Sequence, residues 1–279
     1  MAEKAILFDA SKCTACRGCQ IACKQWNEND EAIPTVENGV NSHNTGSYEN
    51  PPDLSPTTWV KMRFIEVEPA PGKVRWLFAR QACMHCTDAA CVKVCPNGTL
   101  YHDAQYGVVM YNQDTCTGCG YCVDACPFNV PRLDNQGVLD FSGKMSKCSF
   151  CLSPGYNRLD EGWEPACVKT CPPGALSYGD RNDMLAAGQQ RVAELQGQGW
   201  SNANLYGATE LGGLHVMYVL DDSPQVYGLP VNPQISPATV AWKDVLQPVG
   251  WVLGGLTIVG LGVNWLAARA NVNKEAKTK

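Results

Sequence analysis

Most of the signatures by which an enzyme shows itself are missing from this chain of 279 residues. There is no nucleophile–base set, no phosphate-binding glycine loop and no dinucleotide fingerprint, so no substrate site is expected. His43, His102 and His215 stand at no metal-ligand spacing. Basic residues form no stripe. With 22 Lys and Arg against 27 Asp and Glu the formal charge is -5, which disfavours nucleic acid as a partner. No secretory signal is expected at the start: Met1 to Ala10 holds Ile6, Leu7 and Phe8, a run too short for an h-region and without a cleavage site. Charge itself disappears between Asp244 and Arg269.

What the chain has in quantity is cysteine, 16 residues in four groups of four with none left over. The density is below that of a disulfide scaffold, and pairs two residues apart suit a shared metal better than a bridge to each other. The third group, Cys116-x2-Cys119-x2-Cys122-x3-Cys126-Pro127, is the run with which bacterial ferredoxins hold cubane clusters. Its first three thiolates wrap one cube; the fourth starts a helical turn, points away and serves a second cube. The first group is Cys13-x2-Cys16-x2-Cys19-x3-Cys23, followed by Lys24 where proline is usual. The second is Cys83-x2-Cys86-x4-Cys91-x3-Cys95-Pro96, and the fourth is Cys148-x2-Cys151, an insert, then Cys167-x3-Cys171-Pro172. Sixteen ligands at four per cube imply four [4Fe-4S] clusters. With about −2 for each oxidised cube and its thiolates, the net charge falls to roughly −13.

The crossing of the fourth cysteine assigns the ligands. Cluster 1 takes Cys13, Cys16, Cys19 and Cys171, and cluster 2 takes Cys23, Cys148, Cys151 and Cys167. Cluster 3 takes Cys83, Cys86, Cys91 and Cys126, and cluster 4 takes Cys95, Cys116, Cys119 and Cys122. A zinc ribbon also uses C-x2-C pairs, but lacks the third cysteine at x2 and the following Cys-Pro. His85, inside the second group, reads as a donor to cluster sulfur or a solvated neighbour. Lys12, Arg17, Lys24, Lys147 and Lys169, beside the cysteines, are candidates for tuning cluster potentials, though most of them read as solvated surface charge. Every iron is saturated by cysteine, so none offers an open position, and the chain is expected to conduct electrons.

The expected fold is α+β. Groups two and three make an inner double-cluster ferredoxin-like unit over about 80–135, nested within an outer one from groups one and four, the two units pseudo-symmetric. Residues 4–9 read as a strand, and Asn27 to Thr58, rich in Asn, Pro, Gly and Ser, as an inserted loop. Val60, Met62 and Phe64, then Val74, Trp76 and Phe78, alternate about Pro69-Ala70-Pro71-Gly72, which predicts a hairpin with one buried face. Gly107 to Tyr111 and Leu214 to Leu220 read as strands. Asp180 begins a helix with Met184, Leu185, Val192 and Leu195 on one face, ending near Gly197 or Gly199, and Asp221 to Val240 reads as extended.

Pro248 to Ala268 is long and apolar enough to span a bilayer, so a single C-terminal transmembrane helix is expected and lipid is a partner. Its five glycines lower helix propensity but are common where membrane helices approach closely. Arg269, Lys274, Lys277 and Lys279 follow the span, against Lys243 alone just before it. The positive-inside bias therefore puts the tail, 271–279, in the cytoplasm. The cluster domain, 1–240, falls on the periplasmic face of a bacterial inner membrane, with the helix over 241–270 between them. Since cubes are assembled in the cytoplasm, export already folded, on a partner with a twin-arginine signal, is the simplest route.

Joined to their flanks, the cysteine groups resemble those of the beta subunit of membrane-bound respiratory formate dehydrogenase. The resemblance runs through Tyr48 to Ser55, Trp59 to Phe64, Ala166 to Pro172, His215 to Leu220, Tyr227 to Pro230 and the C-terminal span. It implies a three-part complex in which this chain is not catalytic alone. A subunit with a molybdenum or tungsten pterin oxidises formate outside the membrane. This chain passes the electrons through its four cubes, and a cytochrome b subunit uses them to reduce quinone. Cysteine groups alone would equally fit the relay subunit of a nitrate, polysulfide or dimethyl sulfoxide reductase; the flanks and the span narrow the choice.

Overall fold

The computed structural model describes residues 3–29, 36–37, 40–41, 48–134, 142–153, 156–241 and 245–277. It divides into two compact units, residues 1–235 and 236–279.

The floor of the first unit is a mixed four-stranded sheet. Its members are β1 (Lys4–Asp9), the strand expected at the start of the chain, together with Leu176–Asp180, Asn204–Tyr206 and Val216–Leu220. β1 runs antiparallel to Leu176–Asp180 and parallel to Val216–Leu220, which pairs on its other edge with Asn204–Tyr206. Side chains alternate across such a sheet. Ala5, Leu7, Met217 and Val219 therefore face one way, where Met184, Leu185, Val192 and Leu195 cover them. Those four residues belong to the helix Arg181–Gly197, and they are the stripe read from sequence. Asp180 stands at the N-cap position without a side-chain cap bond and instead pairs with Lys4 across the sheet. Ile6, Phe8, Val216, Tyr218 and Leu220 face the other way, into the core that also holds Cys19, Cys23, Cys83, Cys148, Cys151 and Cys167.

Above this floor come, in chain order, α1 (Gly18–Trp26) and two short strands, β2 (Val36–Glu37) and β3 (Val40–Asn41). These last two correct the reading of 27–58 as loop throughout: they pair with each other antiparallel. The hairpin comes next as β4 (Lys61–Ala70) and β5 (Lys73–Gln81), with Phe64 opposite Phe78 and Met62 opposite Arg80. Its burial departs from the expected single face. The base is buried on both sides, with Met62, Leu77 and Ala79 in the core, whereas Val74 and Trp76 near the tip are exposed. The tip projects beyond the core, so alternation there has nothing to pack on. Phe64, Trp76 and Phe78 meet one another and Tyr48 instead, with ring centroids 5.2–6.3 Å apart.

Beyond the hairpin lie α2 (Ala90–Val94), β6 (Leu100–His102), β7 (Val109–Tyr111), α3 (Tyr121–Ala125), β8 (Arg132–Leu133) and β9 (Met145–Ser146). β6 pairs with β7 and β8 with β9. Leu100, Val109, Cys122 and Met145 close a small core of their own beneath the second and third cysteine groups. After β10 (Leu152–Ser153) and β11 (Tyr156–Asn157) comes α4 (Ala166–Lys169). The chain then returns to the floor with β12 (Leu176–Asp180), α5 (Arg181–Gly197), β13 (Asn204–Tyr206) and β14 (Val216–Leu220).

The second unit holds α6 (Pro237–Ala241), one turn of helix inside the stretch expected to be extended, and α7 (Gln247–Lys277). Within α7, Gln247–Arg269 is long and apolar enough to cross a membrane, and none of it is buried against protein. The helix runs past the expected boundary at 270 into the basic tail.

Candidate functional site

Each cysteine group begins with the same backbone device on different residues. The residue immediately before the second cysteine has a positive φ: Ala15 (51°), His85 (48°), Gly118 (68°) and Phe150 (57°). Only glycine adopts this conformation without cost; an L-residue gives up about 1–2 kcal/mol. The turn aims an N–H back at the first sulfur of the group. Ala15 N donates to Cys13 Sγ, His85 N to Cys83 Sγ and Phe150 N to Cys148 Sγ, each at 3.4 Å. In the third group Met145 N supplies the donor to Cys116 Sγ at 3.5 Å. N–H bonds of this kind favour the charged form of sulfur.

The far end of each group is set by the residue after its fourth cysteine. A residue before proline is pushed out of the helical region. Cys95 and Cys126 are accordingly extended (ψ 112° and 114°), and α2 and α3 stop one residue earlier, at Val94 and Ala125. In the fourth group α4 ends at Lys169, two residues before Cys171. Lys24 imposes no such stop, so α1 carries Cys23 inside the helix and continues to Trp26. The added turn brings Trp26 beside Arg158, whose guanidinium lies 4.4 Å from the Trp26 ring centroid and 5.3 Å from that of Trp163. α1 packs on α4 and α2 on α3.

These elements gather the cysteines from distant parts of the chain. Cys13, Cys16, Cys19 and Cys171 line one cavity. Cys95, Cys116, Cys119 and Cys122 line another. Burial, and after it the neighbouring Cys148, Cys167 and Cys151, push the Cys23 thiol well above its ordinary range. Burial, then Cys83, Cys126 and Cys91, do the same to Cys86. Other neighbours link one group to the next: Cys19 lies near Cys167, Cys83 near Cys148, and Cys91 near Cys122. Cys16 and Cys119 are exposed, whereas Cys19, Cys23, Cys83, Cys122, Cys148, Cys151 and Cys167 are buried.

The donor set fits cubanes. Crowding raises Cys13 to about 11 and Cys19 to about 12, through burial first and nearby thiolates after it, so the thiols need a cation to ionise at neutral pH. Among the described residues, no three His, Cys, Asp or Glu side chains converge tightly enough for a single ion. Zinc would need its ligands at about 2.3 Å from one point, whereas a cube spreads them around its corners. Buried side-chain nitrogens also stand without a hydrogen-bond partner here, at Arg80 Nε and Nη1 and at the two ring nitrogens of His85, one of which carries the proton in the neutral ring. Cluster sulfur accepts such bonds.

The charged residues sort differently from the expectation. Lys12 and Lys169 are exposed and Arg17 and Lys24 half-buried, but Lys147 is 1% exposed. Its ammonium donates to Val109 O at 2.6 Å and Cys148 O at 3.0 Å. His85 is fully buried against Phe150, which removes the solvated reading; burial and then the nearby Lys147 push its imidazole well below the usual range. Arg80 went unsuspected. It is 2% exposed, and Nη2 lies 3.9 Å from Cys167 Sγ. The signal available was its place on the strand entering the second cysteine group, opposite the buried Met62.

Models of 4Fe-4S dicluster domains match residues 12–99 and 74–181. The formate dehydrogenase iron-sulfur subunit of Haemophilus influenzae is 40% identical over 99% of this chain and 84% of its own length. The nitrate-inducible formate dehydrogenase iron-sulfur subunit of Escherichia coli K12 is 39% identical over 97% of this chain and 87% of its own. The formate dehydrogenase-O iron-sulfur subunit of the same organism is 41% identical over 90% and 78%.

Proposed function

Given that the chain belongs to the family of formate dehydrogenase iron-sulfur subunits, we propose that it carries electrons from a formate-oxidising partner to a quinone-reducing one. The partners are a subunit with a molybdenum or tungsten pterin and a membrane cytochrome b. Oxidation of formate to carbon dioxide releases one proton and two electrons, and reduction of a quinone to quinol takes up two electrons and two protons. Four [4Fe-4S] clusters, when bound, supply one-electron redox chemistry along the way.

The ligand sets are those given by the crossing rule. Cys13, Cys16, Cys19 and Cys171 hold cluster 1, and Cys23, Cys148, Cys151 and Cys167 hold cluster 2. Cys83, Cys86, Cys91 and Cys126 hold cluster 3, and Cys95, Cys116, Cys119 and Cys122 hold cluster 4. In this reading groups one and four form the outer double-cluster unit and groups two and three the inner one, related by a pseudo-twofold axis. One observation carries the proposal. Cys19 is close enough to feel the charge of Cys167, Cys83 that of Cys148 and Cys91 that of Cys122, which supports the order 1-2-3-4, with an exposed cysteine (Cys16, Cys119) only in the two end sets.

The chain's residues insulate the inner sets, keep water from them and give each end a surface for a partner. Gln247–Arg269 anchors the protein in the membrane, with the tail in the cytoplasm and the cluster domain on the periplasmic face. A protease added to sealed spheroplasts should leave the tail intact.

Iron and acid-labile sulfide analysis of the purified complex tests the count, about sixteen iron atoms per chain at four per cube. Cys116→Ala should slow quinone reduction while sparing formate oxidation with an artificial acceptor. Equal loss of both activities would point to failed assembly and count against the relay order.

A further inference from the structure

The inner cysteine sets face an electrostatic difficulty that the outer sets do not. Each added electron increases the negative charge of a cube, and burial disfavours any charge. All four cysteines of the Cys23 set are buried, and the Cys83 set has one buried and three half-buried members. Each end set carries an exposed cysteine beside its one buried member (Cys19 or Cys122), so the middle of the relay would be the hardest part to reduce. Two buried cations stand there. Arg80 lies beside Cys167, Cys148 and Cys19, and Lys147 beside Cys83 and Cys91. Among the described residues neither makes an ion pair with a carboxylate. The guanidinium of Arg80 has two nitrogens without any protein partner. An isolated buried cation is costly, and nothing here offers it a counter-charge except the sulfur of the cysteine sets.

We propose that Arg80, with Lys147, holds up the reduction potential of the two inner clusters, so that electrons cross the interior instead of stalling at the first exposed set. This inference rests on the four-cluster reading above. No bond forms or breaks: one electron from formate enters a cube and the same electron leaves toward quinone. The cation acts only by stabilising the extra negative charge in between. An opposite charge within about 4–6 Å moves an ionisation equilibrium tenfold to a thousandfold. Removing Arg80 should therefore lower the equilibrium constant for reducing cluster 2 by at least tenfold, about 59 mV for one electron. Lys147 acts in the same sense on cluster 3.

The test is a redox titration of the intact complex, followed by electron paramagnetic resonance, for the native protein, Arg80→Gln and Arg80→Lys. The expected result is one midpoint, that of cluster 2, lowered in Arg80→Gln by the equivalent of tenfold or more, with smaller falls in the sets of Cys19 and Cys83 that Arg80 also neighbours. Cluster 4 should be unmoved, and the native values largely restored in Arg80→Lys. Unchanged midpoints in a fully iron-loaded Arg80→Gln complex would overturn the inference. So would an equal fall in both variants, since a lost shape rather than a lost charge would explain it. If Arg80→Gln fails to load iron, a loaded Arg80→Lys with native midpoints supports the need for charge. Failure of both would assign Arg80 to packing and sink the proposal. A native complex with fewer than sixteen iron atoms per chain would instead strike the four-cluster reading itself.

Discussion

At the scale of single residues, the left-handed turn before each second cysteine sets a comparison. Gly118 occupies it freely, while Ala15, His85 and Phe150 do so under strain. Ala15 has almost no side chain to lose, so Ala15→Gly should stabilise the loaded protein by about 1 kcal/mol, read as a raised thermal midpoint. Phe150→Gly should do the opposite, because the buried ring against His85 is lost with the strain. A second residue-level prediction concerns pH. His215 is buried with Nδ1 donating to Lys4 O at 2.7 Å, and burial holds its imidazole below the usual value. The unfolded chain then binds more protons than the folded one below about pH 6.5, so stability is lost as pH falls through that value. Thermal unfolding between pH 7 and 5 should show the loss, and His215→Gln should flatten part of it. The sixteen cysteines were legible in the sequence because spacing alone reports them. Arg80 and the burial of Lys147 were not, because a lone basic residue looks the same on a surface as in a core until its strand has a partner.

At the scale of elements, the residue after a group's fourth cysteine decides where a helix ends. Lys24→Pro should stop α1 before Cys23 and withdraw Trp26 from Arg158. The expected cost is ~3 kcal/mol, with weakened iron retention by the set containing Cys23. Sulfide and iron release on mild heating would measure it. The sheet floor allows a similar test. A Cβ at Gly188 of α5 would come within 2.7 Å of Leu205 Cδ1 and 3.1 Å of Leu7 Cδ1. Gly188→Ala should destabilise by about 1–3 kcal/mol through overpacking, visible in denaturant midpoints, without altering the iron count. α5, β1 and β14 were readable because a helical stripe and short apolar runs mark them. β12 and β13 were not. Leu176–Asp180 alternates weakly, Asn204–Tyr206 is three residues long, and both are strands only because β1 and β14 offer them edges. β2 and β3 escaped notice for the same reason. The hairpin's register was implied by its alternation, but its exposed tip depends on how far the core extends, which no local pattern encodes.

At the scale of the whole molecule, two units answer two questions. The shorter one should be dispensable for holding iron: a chain ended after Ile235, co-expressed with its catalytic partner, should keep its full iron and leave the membrane fraction. The longer one depends on its metal. Its core contains the cysteines themselves, so cluster loss removes packing as well as charge, and a chelator with an oxidant should unfold residues 3–235 cooperatively. Loss of near-ultraviolet circular dichroism in step with iron release would show it. The proposed serial order of the cysteine sets also has an engineering meaning. Components wired in series share one current, and a break anywhere is an open circuit. The terminals at Cys16 and Cys119 meet solvent, so they are also where dissolved oxygen arrives first. On the proposed function, capping by the partner subunits would serve as weatherproofing, and a chain left without them should corrode from its two ends inward.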